Sequence, residues 1–343
     1  MLVAVCLALG ACAGPRGTTV ARPPAPVCQV LTAAGVTQTT TVGGLTRVMK
    51  VVPVPTPSAE PYHLTVGPDG RAWFTELKVG KIGRLAANGA VDELSLPTPS
   101  SQPHGIALAS DGNLWVAESG ADRIARIAAD GAISEFPLRN GTHPAHVIQG
   151  ADGDIWFTEG GANRIGRMSL AGRVLAEFVV PTPRSVLNGI AGTPDGGIWF
   201  AESGANKVGR VTATGRFSEF AIPTPNSGTA HLVGMPDGSV WFAEKGADRV
   251  GRVTPAGSVT ELSLPTPGAA PSTLTLAPDG AVWVTEAGRS AVASINPKGQ
   301  VVEFAIPGVD PVGIAAGRDG AVWFAEDDGN RVGRIAATPG AGC

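Results

Sequence analysis

The 343 residues carry a formal net charge of −3 and a pI near 6.0, so no basic footprint marks the chain as a nucleic-acid binder. Apolar residues make up 43% of it, too many for a disordered chain. The 47 glycines and 29 prolines suit a fold with many tight turns, and the 4 cysteines show no Cys/His spacing of a zinc motif.

The chain opens with an apolar stretch, Leu2 to Ala11, too short to cross a bilayer as a helix. It ends in Leu9-Gly10-Ala11-Cys12, the pattern of a bacterial lipobox in which Cys12 becomes the lipidated N-terminus. Residues 1–12 are therefore read as an export leader, although the usual basic n-region is missing. Residues 13–44 read as a tether. The expected location is the cell envelope, with a lipid as the sole membrane contact. Cys28 and Cys343 bracket the folded part and are either disulfide partners or two free thiols.

From residue 45 onward one unit of about 42 residues is written seven times. Its markers are Trp73, Trp115, Trp156, Trp199, Trp241, Trp283 and Trp323. An Asp-Gly pair stands before every Trp, as in Asp111-Gly112, and a Glu three residues after it, as in Glu118. In the second unit, His104 to Leu108 is an inner strand and Asp111-Gly112 a hairpin turn. Leu114 to Ala117 is a second strand carrying the Trp, and Ile124 to Ala128 a third. Ile133 to Phe136 alternates as an outer, half-exposed strand. Four such antiparallel strands make one propeller blade, with the Trp as a wedge between blades.

The last unit stops after its third strand, at Arg334-Ile335-Ala336. The stretch from Gly44 to Pro57 reads like an outer strand with its Pro-Thr-Pro exit, so residues 45–54 are expected to supply the missing fourth strand. The predicted fold is an all-β, seven-bladed β-propeller over 45–337, closed by an N-terminal strand completing the last blade and followed by a tail at 338–343. Closure covers sheet edges that would otherwise invite aggregation, and the chain is expected to be a monomer.

Strand order places the entry to strand one and the exit from strand two on one face, so His104 and Glu118 belong to one channel mouth. His63, His104, His146 and His231 all fall at the entry to strand one, with His143 just ahead of His146 and Glu60 just before Pro61-Tyr62-His63. Imidazoles and carboxylates at a funnel mouth form a metal or acid–base constellation; the competing reading is a polar rim solvating a wide channel. The Glu after each Trp recurs in every blade, and six units add Lys or Arg eight residues after Trp, as in Lys81 and Arg249. This reads as a structural ring of ion pairs and hydrogen bonds. Blade six breaks it with Arg289-Ser290-Ala291 and Ser294.

The unit Pro-His-Gly-Ile, Asp-Gly, Trp-Phe-Thr-Glu, Gly-Ala-Asn-Arg-Ile-Gly-Arg and Pro-Thr-Pro is similar to that of the streptogramin B lyase (virginiamycin B lyase) family. Good copies are Ile155 to Glu159, Gly161 to Arg167 and Ile222 to Pro225, and the resemblance spans roughly residues 45–337. It implies a seven-bladed propeller that opens cyclic type B streptogramins by Mg²⁺-dependent elimination at the ester bond, with a His base and two Glu on the metal. The family's Pro-His pairs in the last two blades read here as Pro271-Ser272 and Pro311-Val312, with Asp310 and Glu326 near the metal positions. The intact Pro103-His104-Gly105-Ile106 lies in blade two, after Gln102. The resemblance then implies a site rotated around the ring: His104 as base, Glu60 and Glu118 on Mg²⁺, and Tyr62, His63, His146 and His231 binding a small cyclic peptide. The other reading is a non-catalytic envelope lipoprotein that binds a peptide, glycan or protein partner.

Overall fold

The computed structural model describes residues 4–6, 28–32, 35–42, 45–306 and 308–337. Its hairpins follow from the Asp-Gly pairs. Seven glycines, among them Gly70, Gly153 and Gly280, take φ between 74° and 83°, a region closed to most side chains but open to glycine. Each turn joins an inner strand to the strand that carries Trp. Blade two consists of Pro103–Leu108, Leu114–Glu118, Arg123–Ile127 and Ile133–Pro137, all antiparallel. Six sheets of this kind have four strands, and the seventh is larger.

The seventh sheet closes the ring as expected. Leu45–Pro53 pairs antiparallel with Arg331–Ala337, with Val52 opposite Val332 and Lys50 opposite Arg334. Three further strands, Gly35–Val42, Cys28–Thr32 and Ala4–Cys6, extend this sheet from segments read as tether and leader. Cys12 and Cys343 lie outside the described residues, and with them the expected lipid site and disulfide.

The Trp residues wedge between blades. Trp115 packs against Val147, Ile155 and Phe157 of the next blade, and Trp156 against Ile190, Ile198 and Phe200. Burying each such ring contributes on the order of 5 kcal/mol by area. The outer side of the wedge is covered by an arginine from strand three: Arg84 lies 5.2 Å from Trp73, Arg167 5.3 Å from Trp156 and Arg334 5.2 Å from Trp323. Blade six has Ser294 at that position, and Arg47 of the N-terminal strand covers Trp283 instead, at 5.9 Å. The closing strand thus repairs the blade whose sequence departs from the repeat.

Candidate functional site

The inner strands begin with a bulge: pairing with strand two shifts register just after the entry residue in every blade, as between Pro61 and Leu64 or Pro144 and Val147. The bulge separates the histidines into two layers. His104 takes the second strand position, with Tyr62, Asn188, Ser272 and Val312, and these half-buried residues form the rim. His63, His146 and His231 take the third position and line the central channel. They come from blades one, three and five. Blades two and four put Gly105 and Gly189 at that position, where a Cβ would lie 2.7 Å from the Cα of His146 or His231. Glycine is required there because the next strand packs directly against it.

The rings converge. His63 lies 4.4 Å from His146 and 5.1 Å from His231 between centroids, and His146 lies 5.4 Å from His231. His104 stands above them, 4.9 Å from His146 and 4.6 Å from Tyr62. Thr75 and Thr158 tie this arrangement to the blades. The His63 amide donates to Thr75 Oγ1 at 3.1 Å, and that hydroxyl donates to the His104 carbonyl at 2.9 Å. Thr158 does the same between the His146 amide, at 3.1 Å, and the Asn188 carbonyl, at 2.9 Å.

Burial sets the protonation. The channel disfavours an imidazolium, and the rings repel one another when charged, so His63 and His146 are held well below the usual histidine range. His231 is pushed down to about 4 by burial and by the charge of His104, and His104 to about 4 by burial, partly opposed by its bond to Ala145. All four are neutral at pH 7. His104 Nδ1 donates to the Ala145 carbonyl at 3.1 Å, which leaves Nε2 with its lone pair. Burial and the charge of Asp327 push the Tyr62 phenol up, so it stays a donor.

The two carboxylates expected to serve these rings have other charged neighbours. Glu60 is paired with Lys78 at 2.8 Å on the surface. Glu118 does sit at the strand end opposite Pro103, but it is fully buried, and its charged neighbours are Glu135 and Arg123. Among the described residues the one group of three or more His, Cys, Asp or Glu placed to share a metal is His63, His146 and His231. Mg²⁺ takes oxygen ligands in octahedral geometry. An imidazole set does not fit it.

The inner Glu residues do not form the expected ring of ion pairs and hydrogen bonds: both carboxyl oxygens of Glu76, Glu118, Glu159, Glu202 and Glu244 lack a hydrogen-bond partner among the described residues. In blades one to five the Lys or Arg after Trp does not pair with the nearby Glu but reaches out to a glutamate of the outer strand. Lys81 meets Glu93 at 2.9 Å, Lys207 meets Glu219 at 2.9 Å and Arg249 meets Glu261 at 2.9 Å. A Thr of the preceding Pro-Thr-Pro completes these three sets, as when Thr56 N–H and Oγ1 donate to Glu93 at 2.8 and 2.6 Å. The cation goes outward because the outer carboxylate keeps some water, whereas the inner one has none. Blade seven is the exception, with Arg331 on Glu326 at 2.5 Å. The inner carboxyls Glu76, Glu118, Glu159, Glu202 and Glu244 are pushed up to about 7 by burial, and Glu286, whose blade has Ala291 in place of the cation, to about 8.

Two partners escaped the sequence reading. Asn188 accepts from His146 Nε2 at 3.0 Å, and its signal was its place before Gly189, matching His104 before Gly105. The threonines were marked by Trp-Phe-Thr-Glu in blades one and three, where most blades have Ala before Glu.

A family model described as the virginiamycin B lyase family matches residues 10–233 and 205–341. The virginiamycin B lyase from Staphylococcus aureus superposes with a TM-score of 0.80 at 32% identity, over 85% of this chain and 100% of that one. A streptogramin B lyase structure gives 0.81 at 31%, over 85% and 98%. A catalytically inactive histidine-to-alanine variant of the Staphylococcus aureus lyase with quinupristin gives 0.80 at 31%, over 85% and 100%. No curated protein matches the sequence.

Proposed function

The chain belongs to the virginiamycin B lyase family, and we propose that it opens the ester of a cyclic depsipeptide of the type B streptogramin class by elimination, with His104 as base and Tyr62 as hydrogen-bond donor. The observation that carries this reading is His104 itself. It is the rim imidazole of an intact Pro-His-Gly-Ile, its Nδ1 is fixed on Ala145, and its Nε2 is free beside a protonated phenol.

The step balances without water. His104 Nε2 takes the proton α to a carbonyl, the electron pair forms a Cα–Cβ double bond, and the Cβ–O bond breaks to release a carboxylate. The Tyr62 hydroxyl is within the rim to donate to the carbonyl oxygen as charge develops on it. With a value of about 4, His104 is wholly unprotonated at neutral pH but a weaker base than one poised near 7, so a modest rate is expected. No step is routed through Mg²⁺.

The test is turnover of a type B streptogramin by the full chain. His104→Ala should lower kcat by about 10²–10⁴-fold, the usual share of a general base, Tyr62→Phe should lower it less, and added Mg²⁺ should leave it unchanged. Activity that persists in His104→Ala overturns the assignment. Binding without turnover favours a non-catalytic envelope module instead, a reading supported by Ser272 and Val312 in place of the Pro-His histidines of the last two blades. Anchoring through Cys12 is part of the same proposal, on the strength of Leu9-Gly10-Ala11-Cys12. Cys12→Ser should move the protein from the membrane to the soluble fraction, and an unchanged membrane fraction would refute the anchor.

A further inference from the structure

We propose that the central channel holds a transition-metal site whose ligands are His63, His146 and His231, suited to Zn²⁺, Cu²⁺, Ni²⁺ or Co²⁺. The inference is independent of the elimination reading, because it concerns the channel layer and not the rim.

One ligand nitrogen from each of the three rings lies within 4.8 Å of the other two. Nitrogens bound tetrahedrally to one zinc at about 2.0–2.1 Å are roughly 3.4 Å apart. The rings therefore close by little more than an ångström, a movement that side-chain rotation supplies. The backbone does not have to move, and it is fixed. His63 and His146 are held through Thr75 and Thr158, and Gly105 and Gly189 let their neighbours' strands approach without a Cβ in the way. Histidine on blades one, three and five with glycine on two and four spreads three rings around a seven-fold ring so that they point at one axis. A rim that merely needed polarity would not require that alternation.

The chemistry of the donors agrees. A borderline divalent metal binds through the imidazole nitrogen lone pair, and each of the three rings offers one. The Asn188 Oδ1 accepts a hydrogen bond from the His146 Nε2–H, which leaves Nδ1 with its lone pair and fixes the ring, as an outer-shell partner of a metal-bound histidine does. Three nitrogen ligands suit the borderline metals and leave a fourth position open. The three histidines line a cavity of about 760 Å³ together with Leu64, Val147 and Leu232. The cavity supplies the entry path for the ion and room for water or a small anion on it.

The experiment uses the untagged full chain, stripped with a chelator and titrated with Co²⁺ and then Zn²⁺. One equivalent of Co²⁺ should give the intense visible absorption of a low-coordinate nitrogen site, and Zn²⁺ should abolish it while Mg²⁺ does not. His146→Ala should weaken binding by about a hundredfold or more, and Asn188→Ala, which leaves all three ligands in place, by about tenfold. His143→Ala, in the loop outside the channel, should not weaken it. No binding in the wild type overturns the proposal, as does weak six-coordinate Co²⁺ absorption or full affinity in a folded His146→Ala. If His146→Ala does not fold, Asn188→Ala decides: unchanged affinity there overturns the site.

Discussion

Replacing Glu76 with glutamine should make the protein more stable, and increasingly so as the pH rises. Glu76 is fully buried, and neither carboxyl oxygen has a hydrogen-bond partner among the described residues. Lys81, opposite it on the next strand, is instead committed to Glu93 at 2.9 Å and to Thr56 at 2.7 Å. Burial and the charge of Glu93 push Glu76 up from 4.5 to about 7, with Lys81 opposing. A folded value above the unfolded one means that the folded state holds the proton longer. Its stabilising effect is complete below about pH 4.5 and is lost as the pH rises through about 7. A tenfold change in proton affinity is worth about 1.4 kcal/mol, so the wild type forfeits about 3 kcal/mol at this residue by pH 8.5, most of it between pH 5 and 8.5. Glutamine carries no charge and loses nothing. The gap in unfolding free energy between Glu76→Gln and wild type, from urea melts at pH 5 and pH 8.5, should widen by about 2–3 kcal/mol in favour of the variant. A gap that does not change with pH would mean that Glu76 is ionised and paired in the folded state, and would refute the account of the ring.

Other outcomes follow from the same geometry. Gly105→Ala should destabilise the fold by about 1–3 kcal/mol, as overpacking does, because its Cβ would lie 2.7 Å from the His146 Cα and 2.8 Å from the Ala145 oxygen; an unchanged melting temperature would contradict the close approach. Val186 has φ 51°, a strained state for a β-branched residue, at an exposed site. Val186→Asn should raise stability by about 1 kcal/mol, and a lower melting temperature would count against the strain. Lys81→Ala should recreate in blade one the situation of blade six, moving Glu76 from about 7 toward the value of about 8 seen for Glu286; a carboxyl signal followed by infrared titration checks it.

The blades and their closure were legible because their signals are local. An Asp-Gly turn needs positive φ at one residue, a Trp wedge needs one large side chain, and the Pro-Thr-Pro after residue 54 marks an outer strand wherever it occurs. The site was legible only in part. Spacing gathered His63, His104, His146 and His231 at one strand entry, but the bulge puts His104 on the rim and the other three in the channel. One residue of offset from Trp carried that difference. No short motif announces three ligands from alternate blades, because they are far apart in sequence and meet only when the ring closes. Glu60 and Glu118 were placed on the correct end of the strands, yet burial and Lys78 decide what each carboxylate does, and neither can be read from strand order. The same holds for Lys81, which had two glutamates within reach and took the one that water could still help.

The central claim is that this propeller opens a cyclic depsipeptide by elimination at His104. The most direct measurement is mass spectrometry of a type B streptogramin incubated with the full chain in heavy-oxygen water. The account predicts a ring-opened product of unchanged mass with no label, absent with His104→Ala. A product heavier by one labelled water would show hydrolysis, and recovery of the intact antibiotic would contradict the claim.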